Sequence, residues 1–213
     1  MDLILHSFYR SAYGRIAEIV LAEKELSFVR KEINPFAEDL NKEYLKLHPF
    51  ARVPVLQHGS LTLYETNVIT EYLDDCFSNS ALRPVGPESR AKMRQIVAVI
   101  DNYGYWPMVR QVFSERISRP SEGFLSNEEV VAEGLAESAR TLAALEEIIS
   151  EEEFLVGPAF SLADAHLIPM IDYFCMTTEG KQLLASYPKL SDWWASIEKR
   201  PCTINTRPDW PNV

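Results

Sequence analysis

In VPVLQHGSLTLYETNVITEYL, residues 53–73, two short apolar runs enclose a turn and pass directly into a helical pattern. Val53-Pro54-Val55-Leu56 leads to the turn residues His58-Gly59-Ser60, and Leu61-Thr62-Leu63-Tyr64 repeats the strand character, the signature of a β-hairpin. From about Thr66 to Phe77 the apolar spacing becomes helical. Upstream, Leu3-Ile4-Leu5 reads as a short strand. Ile16, Ile19 and Val20 set against Glu23 and Lys24 read as an amphipathic helix, and Ser27 to Ile33 alternates as a strand. Leu40 to Leu47 is a short helix ended by the His48-Pro49 step, because the residue before a proline is pushed out of the helical region. The order β-α-β-α-β-β-α predicts a mixed sheet carrying helices on its faces.

Residues 78–87, SNSALRPVGP, concentrate Ser, Asn, Pro and Gly and read as a linker. Beyond them no strand pattern stands out. Glu88–Ile117, Asn127–Ser150, Ser161–Met176 and Leu190–Arg200 all read as helices, with Pro107 and Pro169 as kinks. The expected organisation is therefore an α/β domain over 1–78, a linker over 79–87 and an all-α domain over 88–213. Ser161-Leu162-Ala163-Asp164 fits a capping box, a folding signal without chemistry of its own.

Of 213 residues, 46% are hydrophobic and 24% charged, the mix of a soluble globular protein with a sizeable core. Asp and Glu number 31 against 21 Lys and Arg, and the formal net charge is −10. Neither half of the chain carries the basic excess that a phosphate backbone requires, so nucleic acid is not an expected partner. No apolar run approaches the length of a membrane span, and an acid at position 2 before a short apolar run does not resemble a signal peptide. Cys76, Cys175 and Cys202 are widely spaced, odd in number and free of any C-x-x-C pattern. This spacing argues against a disulfide framework or a metal site and for a reducing cytoplasm. Cys76 falls on the apolar side of its helix and is expected to be buried. His6, His58 and His166 stand at no metal spacing and read as structural. There is no phosphate-binding glycine loop and no G-x-S-x-G elbow.

Two places carry potential chemistry. Pro54 opens a strand, where it is either an edge-strand proline or the second residue of a cis Val53–Pro54 bond. The cis form would turn the Val53 backbone outward to pair with a peptide-like ligand. Glu65-Thr66-Asn67 lies at a strand-to-helix junction, where Thr66 is a ready N-cap. The same junction offers a carboxylate beside a helix N-terminus, a grip for both charges of an amino acid.

Lys42 to Leu56, KEYLKLHPFARVPVL, resembles the EFL-x-x-NP-x-G-x-VPVL run of the cytosolic glutathione S-transferases, and Tyr64 to Leu73, YETNVITEYL, resembles their E-S-x-A-I-x-x-YL segment. The Ser161–Asp164 box is similar to that family's helical-domain cap. The resemblance spans Leu3 to about Arg200 and is to a serine-type member (theta-, phi- or zeta-like) in the bacterial style. It implies a thioredoxin-like N-terminal domain that binds glutathione as co-substrate, an all-α C-terminal domain that receives a small hydrophobic electrophile, no metal, and a homodimer. In that dimer the helix starting at Thr66 and the Glu88–Ile117 helix would contribute to the interface.

By motif match, Glu65 and Thr66 would hold the γ-glutamyl amine and carboxylate. Val53, presented by cis Pro54, would pair with the cysteinyl backbone, and Arg52 would lie near the tripeptide. The thiol-activating hydroxyl would come from the segment between the first strand and first helix, which contains no cysteine. Ser11 matches the S-x-x-x-R start of the serine type through Arg15, and Tyr9 is the runner-up, five residues before Gly14. The electrophile would be met by helical-domain side chains such as Tyr103, Tyr105, Trp106 and Val109. Three departures stand out. Asp39 and Leu40 occupy the place of a carboxylate-holding His-Lys pair, with Asn41 or Lys42 as substitutes. His48 replaces the usual Asn, and Ala51 the usual Gly.

The activity implied is attack of glutathione on an electrophile. One alternative is a maleylacetoacetate-isomerase-like activity, for which Arg10-Ser11 is similar to the start of an RSSC motif that Ala12 and Tyr13 do not continue. The other is a non-catalytic binding or assembly module.

Overall fold

A computed structural model describes residues 2–37, 40 and 42–210. Four strands, β1 (Leu3–Ser7), β2 (Phe28–Glu32), β3 (Val55–His58) and β4 (Leu61–Tyr64), form one sheet in the order β2-β1-β3-β4. β1 runs parallel to β2 and antiparallel to β3, and β3 runs antiparallel to β4. The two-residue connection of the hairpin needs a positive φ at its first position, which Gly59 supplies at 61°. Helices α1 (Ala12–Glu23), α2 (Lys42–Leu47) and α3 (Thr66–Cys76) complete this unit. α1 packs against α3, and the core between helices and sheet is Leu3, Leu5, Ile16, Ile19, Val20, Leu56, Ile69 and Leu73, all buried. The edge strand β2 is exposed along most of its length, so its alternation marks strand geometry rather than a buried face.

The chain divides into two compact units, Met1–Ala81 with Asn205–Pro208, and Leu82–Ile204 with Asp209–Val213. The division falls inside the expected linker, each half of which is bonded to its own unit. The Lys24 ammonium, fully buried, donates at 2.9 Å to Asp74 and to the carbonyls of Asn79 and Ser80. The Asn79 amide returns a bond to the Lys24 carbonyl. On the other side, the Leu162 N–H donates to the Leu82 carbonyl at 2.9 Å. The segment 205–208 was not legible as part of the first unit. Arg15, a buried α1 side chain, reaches Thr206 Oγ1 at 3.2 Å and accounts for it.

The second unit contains no strand of the sheet. It begins with α4 (Pro87–Val99), which continues into wide π-helical turns over Ile100–Gly104 and Trp106–Ser118 and a last turn at Arg119–Ser121. There the Tyr105 N–H bonds the Ile100 carbonyl and the Arg119 N–H the Ser114 carbonyl. Pro107 lacks an N–H and so cannot join this ladder, and nearby the Tyr103 carbonyl accepts from the Thr141 hydroxyl at 2.8 Å. Thr141 belongs to α5 (Glu128–Ile148), capped by Asn127. α5 approaches so closely that a Cβ on Gly134 would lie 2.7 Å from Gln111 Cβ. Then follow α6 (Leu162–Phe174), α7 (Thr178–Leu184), α8 (Pro188–Ile197) and α9 (Pro201–Asn205); α7 and α9 are too short to show a period in the sequence.

The cap of α6 is a buried carboxylate. Asp164 accepts from the Ser161 N–H and hydroxyl, the Leu155 N–H and the Trp193 indole, all at 2.8–3.0 Å. Burial pushes its carboxyl up, against the pull of those donors.

Replacing Lys24 with Met removes the buried ammonium that Asp74 and the Asn79 and Ser80 carbonyls share. The expected loss is about 3–5 kcal/mol of unfolding free energy, read from the denaturant midpoint; a loss below about 1 kcal/mol would mean that the linker is not held by this ammonium.

Candidate functional site

The register of the sheet brings the candidate residues to one end. His6 pairs with Val55 and Val55 with Tyr64, so the exit of β1, the entrance of β3 and the exit of β4 stand in one row. The next residues along the chain are those of the β1–α1 turn, Val53-Pro54, and Glu65-Thr66. Three segments distant in sequence thus meet at one sheet end.

At the first, Ser11 caps α1, its Oγ accepting the Gly14 N–H at 3.0 Å. A serine hydroxyl has one proton and two acceptor sites, so this cap leaves the O–H free to donate. The turn before it is tied by the Ser11 N–H to the Phe8 carbonyl at 2.8 Å and by the Tyr9 N–H to the Glu32 carboxylate at 2.9 Å. Glu32 ends β2 opposite Ser7, a tie that sequence spacing does not reveal. The Tyr9 ring is 42% exposed and lies under the Arg10 guanidinium, 4.9 Å from its centroid. Gly14 is required here, since a Cβ would meet the Ser7 hydroxyl at 2.1 Å.

At the second, the Val53–Pro54 peptide is cis, as expected. Neither the N–H nor the C=O of Val53 has a backbone partner among the described residues. The preceding turn is held from α2, where the buried Tyr44 hydroxyl donates to the Arg52 carbonyl at 2.5 Å. Burial pushes the Tyr44 phenol well above its ordinary range, so it remains a donor. His48, 2% exposed, accepts the Phe50 N–H on Nδ1 at 3.3 Å, and its carbonyl takes the Ala51 N–H at 3.0 Å. Ala51 then turns at φ 53°. The His48 ring lies 4.8 Å from that of Tyr64, and burial holds its imidazole below the ordinary value. Arg52 is exposed.

At the third, the structure corrects the expected cap. Glu65, not Thr66, is the N-cap of α3, and its side chain makes no capping bond; Thr66 is the first helical residue and is buried. Glu65 sits at φ 70°, ψ 117°, a conformation that L-residues adopt at a cost of about 1–3 kcal/mol. The Glu65 side chain thus leaves the first-turn N–H groups of α3 uncapped, at the junction where β4 passes into the helix. Lys42 is exposed and Leu40 partly so, while Asp39 and Asn41 lie outside the described residues.

Cys76 is exposed, contrary to expectation. α3 ends at Cys76, and Phe77 leaves in an extended conformation with its ring tilted 30° to that of His58 at 5.7 Å. His58 also bonds the Tyr72 hydroxyl, His6 bonds Gln57, and the fully buried His166 lies 3.5 Å from Asp101. Among the described residues no group of three or more His, Cys, Asp or Glu side chains is placed to hold a metal ion, and no helix is long and apolar enough to cross a membrane. In the second unit Tyr103 and Trp106 are 65% and 61% exposed, whereas Val109 is core.

Family models describing the N-terminal and C-terminal domains of glutathione S-transferase match residues 1–75 and 105–201. A glutathione S-transferase of Hyoscyamus muticus is 30% identical over 85% of this chain and 86% of its own. Glutathione S-transferase F14 of Arabidopsis thaliana is 33% identical over 86% of this chain and 74% of its own. Glutathione S-transferase III in its apo form aligns with a TM-score of 0.85 at 25% identity, covering 97% of this chain and 95% of that one. Glutathione S-transferase I bound with lactoylglutathione gives 0.84 at 25%, covering 97% and 98%. The chain belongs to the glutathione S-transferase family, and it is a transferase with that family's thioredoxin-like and helical domains. Both curated relatives named here are plant proteins, and they lend no support to a bacterial style.

Replacing Tyr44 with Phe removes the donor to the Arg52 carbonyl with little change of shape. Unfolding stability is expected to fall by about 1–2 kcal/mol, with faster amide exchange confined to residues 50–53. Unchanged exchange there would place control of the turn elsewhere.

Proposed function

We propose that this chain binds glutathione at the sheet end formed by Ser11, Arg52, Val53, Pro54, Glu65 and Thr66 and transfers it to a small apolar electrophile. The observation that carries this reading is the convergence of an unpaired Val53 backbone, an uncapped helix N-terminus and a free serine proton in one row. Each meets a different part of the tripeptide. The Val53 N–H and C=O pair with the cysteinyl backbone, in the manner of an added strand. The first-turn N–H groups of α3 and the Thr66 hydroxyl take the γ-glutamyl carboxylate, and Glu65 takes its ammonium. Arg52 lies along the tripeptide as a further cation.

The chemistry needs a thiolate. A thiol with a pKa near 8.5 is mostly protonated at neutral pH, and each unit of lowering takes about 1.4 kcal/mol of preference for the anion. The Ser11 O–H donates to the sulfur while the N-terminus of α1 adds positive potential, together enough for one or two units of that order. The proton leaves to water. The thiolate then forms a carbon–sulfur bond to the electrophile as its leaving group departs or its double bond takes up the electron pair. The chain works in the cytoplasm as a homodimer.

The deciding measurement is the pKa of enzyme-bound glutathione, read from thiolate absorbance against pH. Ser11→Ala is expected to raise it by about one unit or more, and Tyr9→Phe to leave it in place. The reverse pattern would move the role to Tyr9. Binding without a lowered pKa in the unaltered protein would favour the non-catalytic module.

For the assembly, light scattering at micromolar concentration is expected to give twice the 24.3 kDa of one chain, as interfaces of standard size hold in that range. A mass of one chain throughout would overturn the dimer.

A further inference from the structure

The His48 ring touches two of the three segments of the site and belongs to neither. Its Nδ1 accepts the N–H of Phe50, two residues on, while Pro49 between them has no N–H to offer. This is the i to i+2 closure that asparagine and aspartate side chains make in an Asx-turn, here made by an imidazole. The ring is 2% exposed, tilted 33° against Tyr64 at 4.8 Å and set edge-on to Phe50 at 6.1 Å. Tyr64 leads directly into Glu65, and Phe50 leads through Ala51 into Arg52 and Val53. Both limbs therefore rest on one side chain.

We propose that His48 is a positioning residue for glutathione, holding the 50–53 turn and the Tyr64–Glu65 junction in register only while its Nδ1 is unprotonated. This inference rests on the glutathione reading of the site. The physical reason is the direction of the Phe50 bond. An acceptor Nδ1 places the ring proton on Nε2, and a second proton would turn the acceptor into a donor facing the Phe50 N–H. Such a collision in a nearly solvent-free position opens the turn that presents Val53. Two charged groups face the ring from the neighbouring segments with opposite effect, Glu65 favouring the cation and Arg52 opposing it, while burial disfavours it more than either. The Tyr44 hydroxyl, committed to the Arg52 carbonyl, is the phenol on the α2 side. Burial keeps the folded imidazole below its ordinary value of 6.5, so the contribution of the neutral ring is complete above that pH and is lost as pH falls through the lowered value.

An asparagine at 48 would accept the same N–H without titrating, so His48→Asn separates the two properties. The probe is S-methylglutathione, which has no thiol proton, measured by calorimetry between pH 7.0 and 5.0. In the unaltered protein its Kd is expected to rise about fivefold or more over this window, and in His48→Asn to change less than about twofold. Parallel profiles would overturn the proposal while leaving the glutathione reading intact. Failure of the unaltered protein to bind at pH 7.0 would instead remove that reading. Should His48→Asn not fold, the unaltered protein still decides the question by NMR, with the His48 signal assigned through its contact to the Tyr64 ring. Saturating S-methylglutathione must lower the pKa of that imidazole further, and an unchanged value would sink the proposal.

Discussion

The antiparallel register of β1, β3 and β4 is the constraint on which the site depends. Pairing His6 with Val55 and Val55 with Tyr64 leaves no freedom in where the chain leaves β1, enters β3 and leaves β4. A slip of one residue would reverse the faces of Leu5 and Leu56, both buried, and would lose a large part of the core. The hydrophobic cost of a slip thus protects the placement of residues that are themselves polar, exposed or strained. Glu65 can hold its unfavourable backbone conformation because the strand before it is held by its pairing with β3 and the helix after it by the burial of Ile69 and Leu73. The same holds for the turn at Ala51, which lies between the buried Tyr44 and the buried Pro54.

The second unit solves a different problem, packing long helices around side chains that disturb them. Pro107 interrupts the helical ladder, and beside it the Tyr103 carbonyl accepts from Thr141 of α5. α5 can come near enough to do so because Gly134 carries no side chain at the crossing, where a Cβ would lie 2.7 Å from Gln111 Cβ and 2.9 Å from Val112 Cγ2. The close crossing and the threonine bond are one arrangement rather than separate irregularities. Asp164 plays the corresponding part at the start of α6, where one carboxylate gathers four donors from α6, α8 and the segment before the cap. Removing it would strand all four, so its burial is tolerable only because the set is complete.

How much of this was legible in the sequence follows from the range over which each feature is determined. The strand and helix order and the Asn127 and Ser161 helix starts depend on neighbours within a few residues, and the local pattern carries them. Pro54 by itself leaves an edge-strand and a cis reading open; Ser11, Val53, Pro54, Glu65 and Thr66 are singled out by motif resemblance, and the register brings their segments to one sheet end. What escaped depends on contacts made across the fold. Glu32 anchors Tyr9 from another strand, Tyr44 anchors Arg52 from a helix, and Arg15 calls back Thr206 over most of the chain. Helical periodicity places Cys76 on the Leu73 face, whereas at the last residue of α3, where the chain leaves in an extended conformation, it is exposed. Propensity favours threonine over glutamate as a cap, whereas the chain enters α3 one residue earlier, through Glu65 at φ 70° with no side-chain capping bond.

Ser11 shows why a folding role and a chemical role need not compete at one residue. As the cap of α1 its oxygen sits within reach of the Gly14 N–H, which restricts the side-chain rotamer while the hydroxyl proton keeps its own rotation. Accepting that N–H draws electron density from the oxygen and makes its own proton a better donor, since linked hydrogen bonds polarise one another. The helix gains a satisfied N–H, and in the proposed reading the oxygen that carries the proton is held at the positive end of the helix dipole. A hydroxyl on a mobile loop would have to be ordered on each binding event, at a cost in side-chain entropy that the cap has already met during folding. The close approach of Gly14 to Ser7 extends the same logic one step back. It sets the helix against the end of β1, so that the serine is positioned by the sheet whose register also positions Val53 and Glu65.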